Sequence, residues 1–241
     1  MSRWWDTHVH LDRYVAEERG QLLARAEEAQ VAIIAVAAGL ESSRSVAELE
    51  GVAGRAVGIH PRHPSSGFEA ELSKLAAQPG VCGIGECGFD AEGGDWEVQA
   101  TAFRQQALLA SMLGKCLVLH IEGGGAWEQF AAKAPAVEGL RVVRHYFCGN
   151  AAEAAWHAER EHYLSFGKPL RRRGELRDIA RTYPEHLLLI ETDSYPLPGR
   201  STEPAHVGRI GETIALLRGW TFEEARDRLE QNTARAFGLE V

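Results

Sequence analysis

Eight short apolar segments recur along the 241 residues, and stretches with helical periodicity separate them. Alternation of strands and helices predicts a parallel sheet, because parallel neighbours need a crossover connection that is usually a helix. Eight such units at this length favour a closed (β/α)8 TIM barrel, whereas six or seven strands would leave an open sheet. The predicted strands are Trp4–His10, Ala32–Ala38, Ala56–His60, Val81–Cys87, Cys116–Ile121, Leu140–Tyr146, His162–Phe166 and Leu187–Thr192.

The chain shows no proline- or serine-rich linker, so residues 1–241 are expected to form a single domain. After the last predicted strand, Glu203–Arg218 and Phe222–Gln231 have the residue spacing of closing helices. A hydrophobic content of 45% and a charged content of 25% are those of an ordinary globular protein with enough material for a core.

The composition also indicates in which cellular compartment the protein is expected. No apolar run is long enough to span a bilayer, and the start lacks the apolar segment of a secretion signal, so no membrane association is expected. Four cysteines (Cys82, Cys87, Cys116 and Cys148) stand singly without a CxxC pair, which is typical of buried free thiols in a reducing cytoplasm. A cytoplasmic location is expected, and no obligate protein partner is evident.

The net charge of −8 argues against a protein that coats nucleic acid electrostatically, since non-specific phosphate binding needs a basic surface. An acidic chain can still meet a phosphate through bound metal ions, because divalent cations place their charge at the active site itself. The charge therefore excludes one class of DNA-binding protein and leaves metal-dependent enzymes open.

Ionisable residues follow the apolar runs at the carboxyl ends of six predicted strands. In a parallel barrel these ends surround one mouth, where catalytic groups of this fold lie. Burying each group costs free energy unless it is paired or metal-bound. The alternative is that each histidine separately forms hydrogen bonds at its strand end. That alternative is acceptable for any single position, but it does not explain why the same pattern recurs at six strands. The residues are His8 and His10 in DTHVH, His60 in VGIHP, Glu86 in GIGECGFD, His120 in LVLHIE, His145 in VVRHYF and Asp193 in LIETDS.

The residue types in this set are those of a metal site. His8 and His10 are two apart on a strand, so their side chains point to the same side. Mixed nitrogen and oxygen donors suit Zn²⁺, Mn²⁺ or Fe²⁺, and a more hydrated site would accept Mg²⁺. Six donors exceed what one tetrahedral ion needs, so two divalent ions bridged by a carboxylate are predicted. Glu86 is the predicted bridge, because Gly85 and Gly88 let other groups approach it.

Taken in this order, the motifs resemble the TatD family of metal-dependent deoxyribonucleases among the amidohydrolase-like barrels, essentially from end to end. The matching segments are DTHVHLD (6–12), VGIHP (57–61), GIGECGFD (83–90), FRQQ (103–106), LVLH (117–120), RHYFCG (144–149), ETDSYPL (191–197), TEPAHV (202–207) and NTARAFG (232–238). The resemblance implies a (β/α)8 barrel that holds two or three divalent ions and hydrolyses phosphodiester bonds, usually in DNA.

Carried over residue by residue, the resemblance implies one ion held by His8, His10, Glu86 and Asp193 and a second held by Glu86, His120 and His145. His60 would face the substrate phosphate, and Glu203 would belong to the outer part of the site.

Two segments depart from the family pattern. The stretch HIEGGGAW has Ile121 and Glu122 where the family commonly has a Ser-Arg pair, so an arginine that could clamp phosphate is missing. Phe147-Cys148-Gly149 stands where the family has FSG. The metal ligands are kept while the phosphate-clamping positions differ, which leaves the substrate open.

The leading hypothesis is hydrolysis of DNA phosphodiester bonds by a metal-activated water, with an exonuclease acting on single strands or ends. Asp193 would accept the proton of the water, Glu86 would bridge the ions, and His60 with one ion would neutralise the phosphoryl charge. Asp193 has another interpretation, as the cap of a following helix. The rival functions are a deacylase or lactonase that uses the same ions on a small substrate, and a metal-stabilised scaffold without turnover.

Residues around the expected mouth extend these hypotheses. Lys168 and Arg171, after the seventh strand, are predicted phosphate contacts, although a solvated charged loop is the alternative. Trp127 follows three glycines and could stack on a nucleobase. Asp6 and Asp12 are candidates to orient the imidazoles, or Asp12 only starts the first helix. Glu191 is expected to point away from the site and to brace its neighbours.

Overall fold

The computed structural model describes residues 2–197, 199 and 202–240, in which eight strands form one parallel sheet. Each strand pairs in parallel with the next one along the chain, so the spatial order is the sequence order. The strands are β1 (Trp4–Val9), β2 (Val31–Val36), β3 (Gly54–Val57), β4 (Val81–Asp90), β5 (Cys116–Glu122), β6 (Val142–Arg144), β7 (Tyr163–Phe166) and β8 (Leu188–Ile190).

The sheet closes where β1 meets the segment that follows β8. Val9 forms a parallel bridge with Ser194, and the Thr7 hydroxyl donates a hydrogen bond of 3.0 Å to the carbonyl of Ile190. The buried Asp6 carboxylate accepts the backbone N–H of Thr192 at 2.9 Å. The predicted (β/α)8 barrel is therefore confirmed, and the open-sheet alternative is excluded.

The helices lie between the strands and behind the last one. None of the helices in the described part of the chain combines the length and the apolar character needed to cross a membrane. The helices are α1 (Ala16–Glu28), α2 (Leu40–Ala47), α3 (Glu69–Ala76), α4 (Trp96–Leu113), α5 (Ala126–Ala132), α6 (Ala151–Ala158), α7 (Gly174–Thr182), α8 (Gly208–Arg218) and α9 (Phe222–Phe237).

Both closing helices exist, with bounds that differ from the prediction. The first was expected from Glu203, but Glu203 is extended and a short 3-10 turn, Pro204–His206, precedes α8. The second begins after Thr221, whose hydroxyl and the Glu224 carboxylate form a capping box. It continues past the predicted end and packs against β1 and β8, so it covers the seam of the barrel.

The four cysteines are free thiols, as predicted. Cys82, Cys87 and Cys116 are buried, and Cys148 is half-buried. Burial raises the pKa of Cys82 to about 11 and raises the pKa of Cys87 and Cys116 further. These three thiols are therefore protonated and unreactive at neutral pH.

A pair of buried imidazoles packs between α6 and β7, away from the mouth. The Nδ1 atoms of His157 and His162 are 3.0 Å apart, and both side chains are excluded from solvent. Burial, followed by the charge of Arg144, holds the pKa of His157 well below its usual range. Burial, followed by the charge of Arg160, lowers the pKa of His162 to about 4. Both rings are therefore neutral in the folded protein.

This pair predicts a loss of stability in acid. The pKa of His162 rises from about 4 to its ordinary 6.5 on unfolding, so the unfolded chain takes up the proton first as the pH falls. The contribution of His162 to the free energy of unfolding is complete above pH 6.5 and is lost progressively toward pH 4. Between pH 7 and pH 5 it amounts to about 2 kcal/mol, or roughly 4–8 °C in Tm.

Thermal unfolding at the two pH values measures this loss in the natural protein and in His162→Gln, which cannot titrate there. The decrease in Tm should be smaller by that amount in the variant. The exposed His186 is the control, and His186→Gln should retain the full decrease. An equal decrease in the natural protein and in His162→Gln would contradict the assignment.

Candidate metal centre

The side chains predicted as metal ligands meet at one mouth of the barrel. They extend from β1, β4 and β5, from the residues that directly follow β1 and β6, and from the segment after β8. The mouth holds a cavity of about 520 Å³, called here the metal-site pocket. His8 is fully buried beneath it. The other predicted ligands line it: His10, Glu86, His120, His145 and Asp193.

Glu86 occupies the centre of this group. Its Oε2 atom lies 3.1 Å from His8 Nε2 and 3.3 Å from His10 Nε2. Its Oε1 atom lies 3.0 Å from His120 Nδ1 and 3.3 Å from His145 Nε2. One carboxylate thus presents each of its oxygens to a different pair of imidazoles.

The first donor group contains His8, His10 and Asp193. The two Nε2 atoms are 3.3 Å apart, and Asp193 Oδ1 lies 3.5 Å from His10 Nε2 and 3.9 Å from His8 Nε2. Ligand atoms about 2.0–2.2 Å from one metal ion are separated by roughly 3.0–3.5 Å. The spacing of these atoms is therefore close to that of ligands around a shared ion.

The second donor group contains Glu86, His120 and His145. His120 Nδ1 and His145 Nε2 are 2.9 Å apart, and both face Glu86 Oε1. These atoms also lie within the distance that a single cation spans. Glu86 belongs to the second group, and its other oxygen faces the two histidines of the first, which is the position the sequence predicts for a bridging carboxylate.

The charges of these groups depend on one another. Burial opposes ionisation of Glu86, yet the imidazoles of His145, His60 and His8 hold its pKa well below the usual range. Burial likewise opposes ionisation of Asp193, but the hydrogen bond from His10 lowers its pKa to about 2. Ionised carboxylates at this depth need positive charge, from protonated imidazoles or from cations. The donor set therefore fits a divalent metal, which displaces those protons.

Two of the four ligand imidazoles are held at their second nitrogen by a hydrogen-bond acceptor. His10 Nδ1 lies 2.9 Å from the carbonyl of Val36, and His120 Nε2 lies 2.9 Å from Asp90 Oδ2. Such acceptors fix the tautomer and the ring orientation of metal-binding histidines. His145 Nδ1 makes no hydrogen bond with the described residues, but the Glu191 carboxylate lies 3.4 Å from it as a charged neighbour.

Glu191 and Asp90 thus lie beside the ring nitrogens of His145 and His120 that face away from Glu86. Glu191 is buried outside the pocket lining and accepts the backbone N–H of Tyr146 at 2.6 Å, in line with the bracing role expected of it. Asp90 is not among the residues that the sequence predicts for the site. A signal was present, since Asp90 is four residues beyond Glu86 on β4 and alternation places both on one face.

Asp6 and Asp12 do not orient the imidazoles. Asp6 contacts His8 only through the backbone N–H, at 3.3 Å, because its oxygens are engaged with Thr192 at the barrel seam. Asp12 lies in a short 3-10 turn and accepts the hydroxyl of Ser42 at 2.8 Å. The expected role in the centre was wrong for both residues.

Two backbone features place the ligands. Asp193 has a left-handed backbone (φ 52°), which aspartate tolerates better than most residues, and its N–H donates to the carbonyl of His8 at 3.1 Å. No helix of the described residues begins there, so the capping interpretation was wrong. A Cβ on Gly85 or Gly88 would collide with the backbone of β5, as expected of glycines that permit close approach.

His60 lies at the edge of the centre and lines the pocket. Its Nε2 atom is 3.0 Å from Glu86 Oε1, and its Nδ1 atom accepts the backbone N–H of Arg62 at 2.9 Å. Acceptance at Nδ1 leaves the proton of the neutral ring on Nε2, which points toward the centre. Burial lowers the pKa of His60, which favours this neutral form.

The predicted substrate contacts are placed differently. Lys168 and Arg171 line a neighbouring cavity, not the metal-site pocket. Glu203 is also absent from the described pocket lining, because its carboxylate pairs with Arg25 at 2.6 Å. Trp127 is half-buried and packs edge-on against Trp156, so the expected stacking platform was wrong.

Two arginines that sequence reasoning missed line the pocket instead. Arg62 donates to Asp90 at 2.9 Å, and its Nη2 atom lies 3.6 Å from Glu122. Arg13 places its guanidinium 5.5 Å from the ring of Tyr195. Arg13 ends the short 3-10 turn after β1, and Arg62 lies in the turn after β3, and connections this short carry no residue periodicity.

Known proteins are similar to this chain in sequence and in fold. Residues 5–238 match the family described as TatD related DNase. The chain is 28% identical to the uncharacterized metal-dependent hydrolase YabD of Bacillus subtilis (strain 168), over 98% of this chain and 99% of the relative. It is 32% identical to the 3'-5' ssDNA/RNA exonuclease TatD of Erwinia tasmaniensis, over 93% of this chain and 95% of the relative.

A solved structure agrees with the fold. The TatD homolog YJJV from Escherichia coli K12 superposes with a TM-score of 0.87 at 24% identity, over 99% of both chains. The family match covers nearly the whole chain and includes every segment that carries the candidate metal centre. The chain therefore belongs to the TatD-related DNase family of metal-dependent hydrolases.

Proposed function

We propose that this protein is a deoxyribonuclease that cleaves phosphodiester bonds at the ends of single strands with the help of two divalent ions. The main support is the position of Glu86, which faces two donor groups at the floor of an open pocket. Zn²⁺, Mn²⁺ and Mg²⁺ are the candidate ions. The relatives named as ssDNA/RNA exonucleases support a nucleic-acid substrate and make RNA a second one to test.

The roles of the residues follow from their positions. Divalent ions, when bound, would lower the pKa of a water molecule and withdraw charge from a phosphoryl oxygen. Asp193 lines the pocket with an ionised carboxylate and accepts the proton from that water. His60 carries its proton on Nε2 and donates it in a hydrogen bond to a phosphoryl oxygen once Glu86 is engaged by cations.

Cationic side chains at the rim meet the substrate phosphate. Arg62 and Arg13 line the pocket, and Arg62 lies beside Glu122, near the place of the arginine that the family pattern leads one to expect. A guanidinium can bind two phosphate oxygens at once. Arg62 therefore substitutes from the loop after β3 for the phosphate contact that the loop after β5 lacks.

The alternative is a deacylase or lactonase that acts on a small substrate through the same centre. It is favoured by one observation, the acidic Glu122 within 4.0 Å of both Arg62 and His120, which offsets positive charge at the rim. The two functions differ in their substrates, so an assay on both classes separates them.

Replacement of Asp193 tests the proposed function. Asn tolerates the same left-handed backbone, so Asp193→Asn should fold while losing the proton acceptor. Release of nucleotides from single-stranded DNA in Mg²⁺, Mn²⁺ or Zn²⁺ should fall by about 10²–10⁴-fold. Asp178→Asn is the control, because this exposed carboxylate on α7 pairs only with Arg181 among the described residues and should keep full activity.

The other outcomes of this assay are equally informative. Hydrolysis of lactones or acylated amines, but not of DNA, would contradict the nuclease proposal and support the alternative. Turnover of neither class in any metal would support a scaffold. DNA cleavage that persists in Asp193→Asn would remove this residue from the mechanism.

The metal content tests the shared role of Glu86. We expect about two divalent ions per chain after loading and dialysis, measured by mass spectrometry of the metal. Glu86→Gln should reduce both sites, because the neutral amide replaces one of the two oxygens and removes the charge that both donor groups face, whereas His145→Asn should reduce the second site alone. His186→Asn, at an exposed imidazole, is the control. Unchanged content in Glu86→Gln would contradict the bridging role.

A further inference from the structure

Beside the metal-site pocket, a second cavity of about 450 Å³ has a lining rich in cationic side chains, and it is called here the basic cavity. Its lining contains no acidic residue of the described chain. The polar and charged residues that line it are Lys168, Arg171, Thr192, Thr202, His206 and Arg209. They come from the turn before α7, the segment after β8 and the start of α8.

The basic cavity lies close to the metal-site pocket. A small cavity of about 50 Å³ shares Lys168 and Thr192 with the basic cavity, and Tyr146, Asp193 and Tyr195 with the metal-site pocket. The three cavities therefore lie side by side in a row, and Asp193 lines both the metal-site pocket and the small cavity. A chain molecule with one end at the metal centre can therefore extend along this row.

The cations of the basic cavity lack counter-ions within the described residues. No carboxylate there lies within 4.0 Å of Lys168, Arg171 or Arg209, whereas His206 is 3.7 Å from Glu203. Like charges that line one cavity repel each other, and the repulsion is relieved when an anion binds. Such a cluster is notable in a chain with a net charge of −8.

We propose that the basic cavity binds the phosphate next to the scissile one on the same nucleic-acid strand, an inference that rests on the proposed function. Lysine binds phosphate as a point charge and arginine as a two-pronged donor, and neither contact depends on the base. Lys168, Arg171 and Arg209 supply these contacts. Substrates with two or more phosphates are therefore preferred over esters with one.

Free inorganic phosphate has the same chemistry, but the closeness of the basic cavity to the metal-site pocket favours a phosphate joined to the scissile one. The sequence predicts Lys168 and Arg171 as phosphate contacts. The proposal retains both residues in that role, but at the phosphate next to the scissile one. Arg209 is added to the set by the fold alone, since it is distant in sequence from the turn before α7.

The test compares two substrates on one double variant, Lys168→Ala with Arg209→Ala. The substrates are an oligothymidylate tetramer and thymidine 5′-(p-nitrophenyl phosphate), which has a single phosphate. The ratio of KM for the tetramer to KM for the ester should rise about tenfold in the double variant. Loss of this one phosphate contact should also flatten the slope of log KM against log salt for the tetramer by roughly 0.7.

Arg104→Ala is the matched control, because Arg104 is exposed on α4 and lines none of the described cavities above. It should leave the ratio unchanged. An unchanged ratio in the double variant, with both substrates cleaved, would overturn the subsite and leave the nuclease proposal intact. Inorganic phosphate that inhibits tetramer and ester cleavage equally in the natural protein, and less in the double variant, would identify a free-phosphate site and also overturn it.

Failure of the nuclease proposal has a different signature. If the natural protein cleaves neither substrate, binding of a labelled phosphorothioate oligothymidylate, measured by fluorescence anisotropy, decides the subsite alone. Weaker binding by the double variant than by Arg104→Ala would support the subsite. Equal binding by both, or no binding by the natural protein, would overturn it.

Discussion

The structure depends on one buried carboxylate, Glu86, that faces imidazoles from three other strands. Its two oxygens each approach two ring nitrogens that the sequence analysis predicts as metal ligands, at 3.0–3.3 Å, and His60 approaches from the rim. A charge at this depth is stable only with positive partners, because burial alone would neutralise it. The rest of the barrel can be understood as the means of bringing those partners together.

Closure of the barrel is the first requirement. His8 stands on β1 and Asp193 follows β8, at opposite ends of the chain, so they meet only if the two edges of the sheet join. The contacts that join them include Asp6 with Thr192 and the Asp193 N–H with the carbonyl of His8. Folding and site formation are thus one event, and cations that bind only the folded chain would stabilise it by mass action.

Much of the fold and of the centre was predictable because both depend on simple periodicity. Apolar runs marked the strands, and the polar residue after each run marked the mouth. Asp90 could have been predicted in the same way, because strand alternation places it on the same face as Glu86. Arg62 and Arg209 could not, since they lie in a loop and at a helix start, whose positions depend on tertiary packing. Trp127 was mispredicted for a related reason, because the aromatic neighbours that bury it come from α5 and α6.

The most direct test of the central claim is a crystal structure of the metal-loaded protein, with anomalous scattering recorded at the absorption edge of the bound metal. Two anomalous peaks are expected, one beside each oxygen of Glu86, with His8 and His10 around the first and His120 and His145 around the second. A single peak, or two peaks of which only one contacts Glu86, would contradict the central claim.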